Sequence, residues 1–126
     1  MTLRFLLLPQ LYAVVQLPSD ASWPSWASGG EFTSISRTRD ELSIICEERL
    51  VPPDVAADRG WRCLALEGPF PLTAVGVAAV FTSVLARSEI SVLIVSTYNT
   101  DYALLKDGAL ERAVAALERA GHRVTR

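Results

Sequence analysis

Histidine and cysteine are scarce in this chain. It holds one histidine, His122, and two cysteines, Cys46 and Cys63, in 126 residues. A usual zinc site takes about four thiolate or imidazole ligands, so this inventory points away from a metal centre. The cysteines form no Cys-x-x-Cys pair, and both sit in apolar runs, which suits buried small hydrophobes. A disulfide between them has no support from spacing. No uninterrupted run of about 18 apolar residues occurs, so no membrane span is expected. Neither sign of charge dominates: 12 Lys+Arg face 14 Asp+Glu. That leaves no basic footprint for nucleic acid. A Gly-rich phosphate loop is absent, and Ser96 has no Gly-x-Ser-x-Gly context. No cofactor, no catalytic residue and no enzymatic activity are expected from this set.

Apolar content is plentiful. Hydrophobic residues make up 50% of the chain and mean hydropathy is +0.26. A chain of this length removes roughly two thirds of its unfolded surface from water, enough to stand without staples. Thr2–Leu17 superficially suggests a secretion signal. Pro9 and Gln10 interrupt it and no Ala-x-Ala site follows, so two buried strands joined by a turn are expected instead, in a cytoplasmic protein.

Ser19 or Asp20 is placed to cap a short helix in which Trp23 and Trp26 share a face. Glu31–Ser36 and Glu41–Glu47 read as a hairpin, with Leu42, Ile44 and Cys46 on one side. Glu47 and Glu48 read as a solvated strand end, since adjacent strand residues point to opposite faces. Val51-Pro52-Pro53 breaks ladder pairing and marks a connector. The chain is therefore divided into lobes 1–60 and 61–126.

From Trp61 the order is clearer. Trp61–Leu66 is a strand, and Val77, Val80, Phe81, Val84 and Leu85 make the stripe of a helix over Thr73–Arg87. Ile90–Val95, rich in β-branched residues, predicts a strand buried on both faces or central in the sheet. Tyr102–Lys106 is a strand, Asp107 is placed to cap a last helix that Gly121 ends, and His122–Thr125 closes as an edge strand. This β-α-β-β-α-β order is the ferredoxin-like arrangement of the α+β class. Residues 1–60 read as a shorter, β-rich lobe.

The segment between the strands Ile90–Val95 and Tyr102–Lys106 is the most informative. Ser96-Thr97-Tyr98-Asn99-Thr100-Asp101 offers three aliphatic hydroxyls, a phenol, an amide and a carboxylate. Such a cluster suits a small polar ligand, and equally suits a turn that bonds its own backbone.

The run Ser96-Thr97-Tyr98-Asn99-Thr100-Asp101-Tyr102-Ala103-Leu104-Leu105 resembles the STY-x-TDY-x-L-V signature of a group of tandem ACT-domain proteins. The group includes relatives of the aspartate kinase regulatory region and the CASTOR arginine sensors. Phe32–Thr38, Asp40–Glu48, Val51-Pro52, Gly60-Trp61, Glu67-Gly68-Pro69 and Val75-Gly76-Val77 follow in family order. The resemblance implies an ACT domain with the ferredoxin-like fold, preceded by an ACT-like lobe. It implies a non-enzymatic regulatory protein that binds a small effector, an amino acid, and works as a homodimer. The implied ligand-binding residues are Leu72, Thr73, Gly76, Ser96, Thr97, Tyr98, Asn99, Thr100 and Asp101. Asp101 would meet a charged group of the ligand, while Gly76 would let ligand or backbone approach closely. The arginine sensors have a glutamate before the helix glycine region, where this chain has Ala74. A partner-binding module that has lost its ligand is the alternative.

Overall fold

The computed structural model describes all 126 residues. The chain divides into two compact units, Gln10–Trp61 and Met1–Pro9 with Arg62–Arg126. The first strand, expected with the N-terminal lobe, thus belongs with the C-terminal half.

The pairing gives the reason. In the C-terminal unit, β1 (Arg4–Leu7) lies antiparallel to β5 (Asp58–Leu66), with Phe5 opposite Leu66. On its other side β1 runs parallel to β8 (Arg123–Thr125), with Phe5 opposite Val124. β7 (Asp101–Lys106) pairs with β5 and with β6 (Leu93–Ser96). The strand order is β8-β1-β5-β7-β6. A ferredoxin-like β-α-β-β-α-β motif is therefore present from β5 to β8, with β1 inserted between its first and last strands. Exposure alternates along β1, with Phe5 and Leu7 buried and Arg4 and Leu6 outside. The apolar run is thus a one-faced strand, not one buried throughout.

Two helices cover the buried face, α1 (Val77–Arg87) and α2 (Leu110–Arg119). Val77, Phe81, Val84 and Leu85 of α1 meet Leu110, Ala113, Val114 and Leu117 of α2 over Phe5, Leu7, Leu64, Leu66, Ala103 and Leu105. Phe5 and Phe81 meet edge to face, with ring centroids 5.4 Å apart. The predicted stripe is the one the helix buries. Its start is later than expected: Gly76, in the left-handed region at φ 83°, precedes the first helical residue, and Ala74 closes a turn back to the carbonyl of Pro71. The exit of α1 uses Ser88–Ile90, whose N–H groups bond to Leu85 and Ala86 carbonyls. β6 consequently begins at Leu93, and its Leu93, Ile94 and Val95 are only half-buried because it pairs with β7 alone. The expectation of a strand buried on both faces or central in the sheet fails there. Asp107 does not cap α2. It lies in a 3-10 turn, and its carboxylate accepts a hydrogen bond from Arg62 at 3.1 Å. His122 is buried rather than exposed, and its Nδ1 accepts the N–H of Leu3 at 3.1 Å.

The N-terminal unit is built on β2 (Tyr12–Leu17), β3 (Ser34–Arg37), β4 (Leu42–Glu47) and the first residues of β5. The order is β3-β4-β2-β5, antiparallel throughout. Leu42, Ile44 and Cys46 share the buried face, as predicted, with Ala13, Val15, Ala27 and Val51. The expected helix after Ser19 is one 3-10 turn, Ser25–Ala27, preceded by Pro24 and without a side-chain cap. Trp26 packs against the core while Trp23 stays exposed, so the two do not share a face.

Glu47 overturns its expectation more sharply. It is 2% exposed, and its carboxylate accepts the N–H of Glu31 at 2.6 Å and the Nε–H of Arg49 at 2.8 Å. Glu48 accepts the N–H of Gly60 at 2.8 Å. Both carboxylates hold backbone, because the Gly29–Glu31 loop and the start of β5 come down on the end of β4.

Candidate functional site

The site grows from the β6–β7 hairpin in the C-terminal unit. Ser96 faces Asp101 in the ladder. Beyond them, the Thr97 N–H bonds to the Thr100 carbonyl at 2.8 Å, leaving Tyr98 and Asn99 as the tip. The hairpin is therefore tighter than a six-residue turn. Ser96 Oγ donates to Asp101 Oδ1 at 2.6 Å. Thr97 Oγ1 accepts the Thr100 N–H at 3.3 Å and donates to its carbonyl at 3.1 Å. These are the self-bonding roles that turn chemistry predicts.

Two further bonds fasten the hairpin to the loop between β5 and α1. Thr100 Oγ1 donates to the Leu66 carbonyl at 2.6 Å, and the Phe70 N–H donates to the Asn99 carbonyl at 2.8 Å. Gly68 makes this approach feasible, since a Cβ there would stand 2.8 Å from the Asn99 oxygen. The Gly68–Pro69 peptide is cis.

A cavity of about 430 Å³ opens between the hairpin and the start of α1. That volume falls in the range of small-molecule sites, roughly 300–1,000 Å³. Leu72, Gly76 and all six residues Ser96–Asp101 line it. Thr73 does not. It sits exposed in the Pro71–Ala74 turn, away from the wall. Gly76 lines the cavity in the left-handed region, and a Cβ there would meet no protein atom within 4 Å, so no neighbouring backbone approaches it closely. Phe70, Pro71, Ala74, Val77, Ala78 and Ala79 complete the wall. Phe70 had a signal in the stiff Pro-Phe-Pro loop, whereas the three helix residues carried none beyond their position.

The first turn of α1 has no side-chain cap. The N–H groups of Val77, Ala78 and Ala79 belong to the orphan set at a helix start, and all three residues border the cavity. Such a terminus favours an anion. Across from it, Asp101 supplies a carboxylate. Both charges of a zwitterion thus have a counterpart in one wall. Leu72 and Tyr98 stand exposed in the cavity lining, at 70% and 79%, and Val75, outside the lining, is 90% exposed. No group of three or more His, Cys, Asp or Glu side chains is assembled. Cys46 and Cys63 are buried and not joined by a disulfide, and burial, then the charge of Glu47, raises the Cys46 pKa.

Fold and site together define an α+β, ferredoxin-like domain with a ligand-sized cavity at the hairpin after its second strand. A family profile of the ACT domain matches residues 56–119, and a second profile, of an N-terminal domain, matches residues 10–54. The chain belongs to the ACT-domain family. A crystal structure of a protein from Agrobacterium tumefaciens superposes with a TM-score of 0.92 at 35% identity, covering 98% of this chain and 92% of that one. A Vibrio cholerae protein of unknown function follows at 0.77 and 18% identity, covering 94% of this chain and 90% of that one. The regulatory subunit of aspartate kinase from Thermus flavus shares the fold at 0.58 and 10% identity, covering 90% of this chain and 94% of that one. No match was found among curated proteins. No helix is long and apolar enough to cross a membrane.

Proposed function

We propose that this chain is a non-catalytic regulatory protein that binds an amino acid in the cavity between the β6–β7 hairpin and α1. The observation that carries this reading is the pairing of an uncapped helix start with the Asp101 carboxylate across a cavity of about 430 Å³. The ligand carboxylate takes the N–H groups of Val77, Ala78 and Ala79. Its ammonium takes Asp101 by a charge-assisted hydrogen bond. The hairpin is already fastened to the β5–α1 loop, so little ordering cost falls on binding. Regulation follows if one assembly state binds the effector better than another, since only differential affinity shifts an equilibrium. That assembly is read as a homodimer. The exposed Leu72, Val75 and Tyr98, with the free edge of β6, offer it surface. Two unlinked, buried thiols fit a reducing compartment, the cytoplasm. The N-terminal unit is read as a shortened ACT-like lobe whose helices are reduced to single turns.

A thermal-shift screen against the common amino acids at millimolar concentration tests the reading. Ligand at a hundred times its Kd stabilises by about 2.7 kcal/mol. Asp101→Ala should remove the response while leaving the unliganded melting temperature nearly unchanged. Absence of any shift with the wild-type chain, or an undiminished shift in the variant, counts against the site. The same exposed rim also favours a second reading, a partner-binding module without a ligand. Recovery of a specific protein partner from a screen silent to small molecules would favour that one.

A further inference from the structure

We propose that the cavity selects a neutral amino acid with an apolar side chain over a cationic or an acidic one. This inference rests on the reading of the cavity as an amino-acid site. The charge inventory of the wall carries it. Among the 14 lining residues, Asp101 alone bears a formal charge, and none is Lys, Arg or His.

A bound amino acid brings one ammonium and one carboxylate. Asp101 is matched by the ammonium, and one of its oxygens already accepts from Ser96. A second cation, on an arginine or lysine side chain, finds no second carboxylate there. Taking it out of water unpaired is costly. An acidic side chain meets no cation and is repelled by Asp101. A neutral side chain leaves the balance intact.

The rest of the wall favours hydrocarbon. Phe70, Leu72, Val77 and Ala78 present apolar surface to the cavity. Leu72 is 70% exposed and Tyr98 79%, so large apolar groups stand in water where a ligand side chain would cover them. Each methylene so buried strengthens binding by about fourfold, from ~0.8 kcal/mol per CH2.

Isothermal titration of the full chain with glycine, L-alanine, L-valine, L-leucine, L-lysine, L-arginine and L-glutamate tests this. Affinity should rise from glycine through alanine and valine to leucine. Leucine should bind at least about tenfold tighter than arginine, lysine or glutamate, the scale of one unpaired charge at a partly solvated site. Arginine, lysine or glutamate binding as well as leucine, or no gain from glycine to leucine, overturns the selectivity and leaves the amino-acid site standing. Silence with all seven overturns the site itself, and the selectivity with it. Ala74 lines the cavity from an exposed turn, so Ala74→Glu adds a second carboxylate without disturbing the core. It should narrow the leucine–arginine gap by about tenfold, one carboxylate–cation pair. A gap unchanged in the folded variant overturns the charge argument.

Discussion

Phe70 donates its backbone N–H to the carbonyl oxygen of Asn99 at 2.8 Å. This bond holds the tip of the β6–β7 hairpin against the loop that leads to α1. The cavity wall therefore does not have to be assembled by its ligand. It is part of the fold, set by backbone geometry that no side-chain pattern announces.

Gly68→Ala tests that junction. The added methyl would stand 2.8 Å from the Asn99 oxygen and 3.2 Å from the Thr100 Cβ. The obstacle is backbone, so relief requires the hairpin to move. A loss of about 1–3 kcal/mol is expected, as for overpacking elsewhere, together with weakened ligand response. Gly108→Ala is the control, since a Cβ there meets nothing within 4 Å. It should leave stability unchanged or raise it by about 0.4–1 kcal/mol. Urea denaturation of both variants gives the comparison. Equal effects would mean that Gly68 is not a contact point.

Glu47 and Arg49 form a pair whose halves contribute unequally. Glu47 is 2% exposed and Arg49 67%. Arg49→Ala removes a largely solvated partner and should cost about 0–1 kcal/mol. Glu47→Ala deprives the Glu31 N–H of its acceptor and empties a buried site, which should cost about 2–4 kcal/mol. The two midpoints in urea decide it. If Arg49→Ala proves the more damaging, the carboxylate is not the pin of the Gly29–Glu31 loop.

His122 gives the C-terminal unit a pH dependence. Burial, and then the nearby N-terminal ammonium, hold its imidazole below the ordinary 6.5. As pH falls through 6.5 the unfolded chain takes the proton first, so stability present above 6.5 is lost on the acid side. Protonated Nδ1 would also cease to accept the Leu3 N–H. The melting temperature should therefore decline between about pH 6.5 and 5. His122→Gln, which keeps an acceptor and cannot titrate in this range, should flatten that decline. An equally steep profile in the variant would assign the acid loss to carboxylates instead.

Much of this architecture was readable in the residues, and most of the exceptions share one cause. The stripe from Val77 to Leu85 and the alternation Leu42, Ile44, Cys46 each encode a buried face locally, and both faces are buried. The hairpin Ser96–Asp101 was marked by its hydroxyls and signature. Most of what failed depended on distant partners. β1 was placed with its sequence neighbours, yet it pairs with β5 and β8, strands more than fifty residues away at the nearest. Glu47 was read as solvated because nothing near it in sequence shows the loop that covers it. Thr73 was placed in a helix that Gly76 does not allow to begin so early.

Gly76→Ala separates the two roles a glycine has at this position. At φ 83° an alanine is strained, at a cost of about 1–2 kcal/mol. The space around the new methyl is open to 4 Å. Stability should therefore fall while affinity for the amino acid stays within a few fold of the wild type, because Val77, Ala78 and Ala79 still border the cavity. Titration at a temperature where the variant remains fully folded separates the effects. Lost affinity in the folded variant would show that ligand, not backbone geometry, needs the missing Cβ, and would restore close approach as the reason glycine stands there.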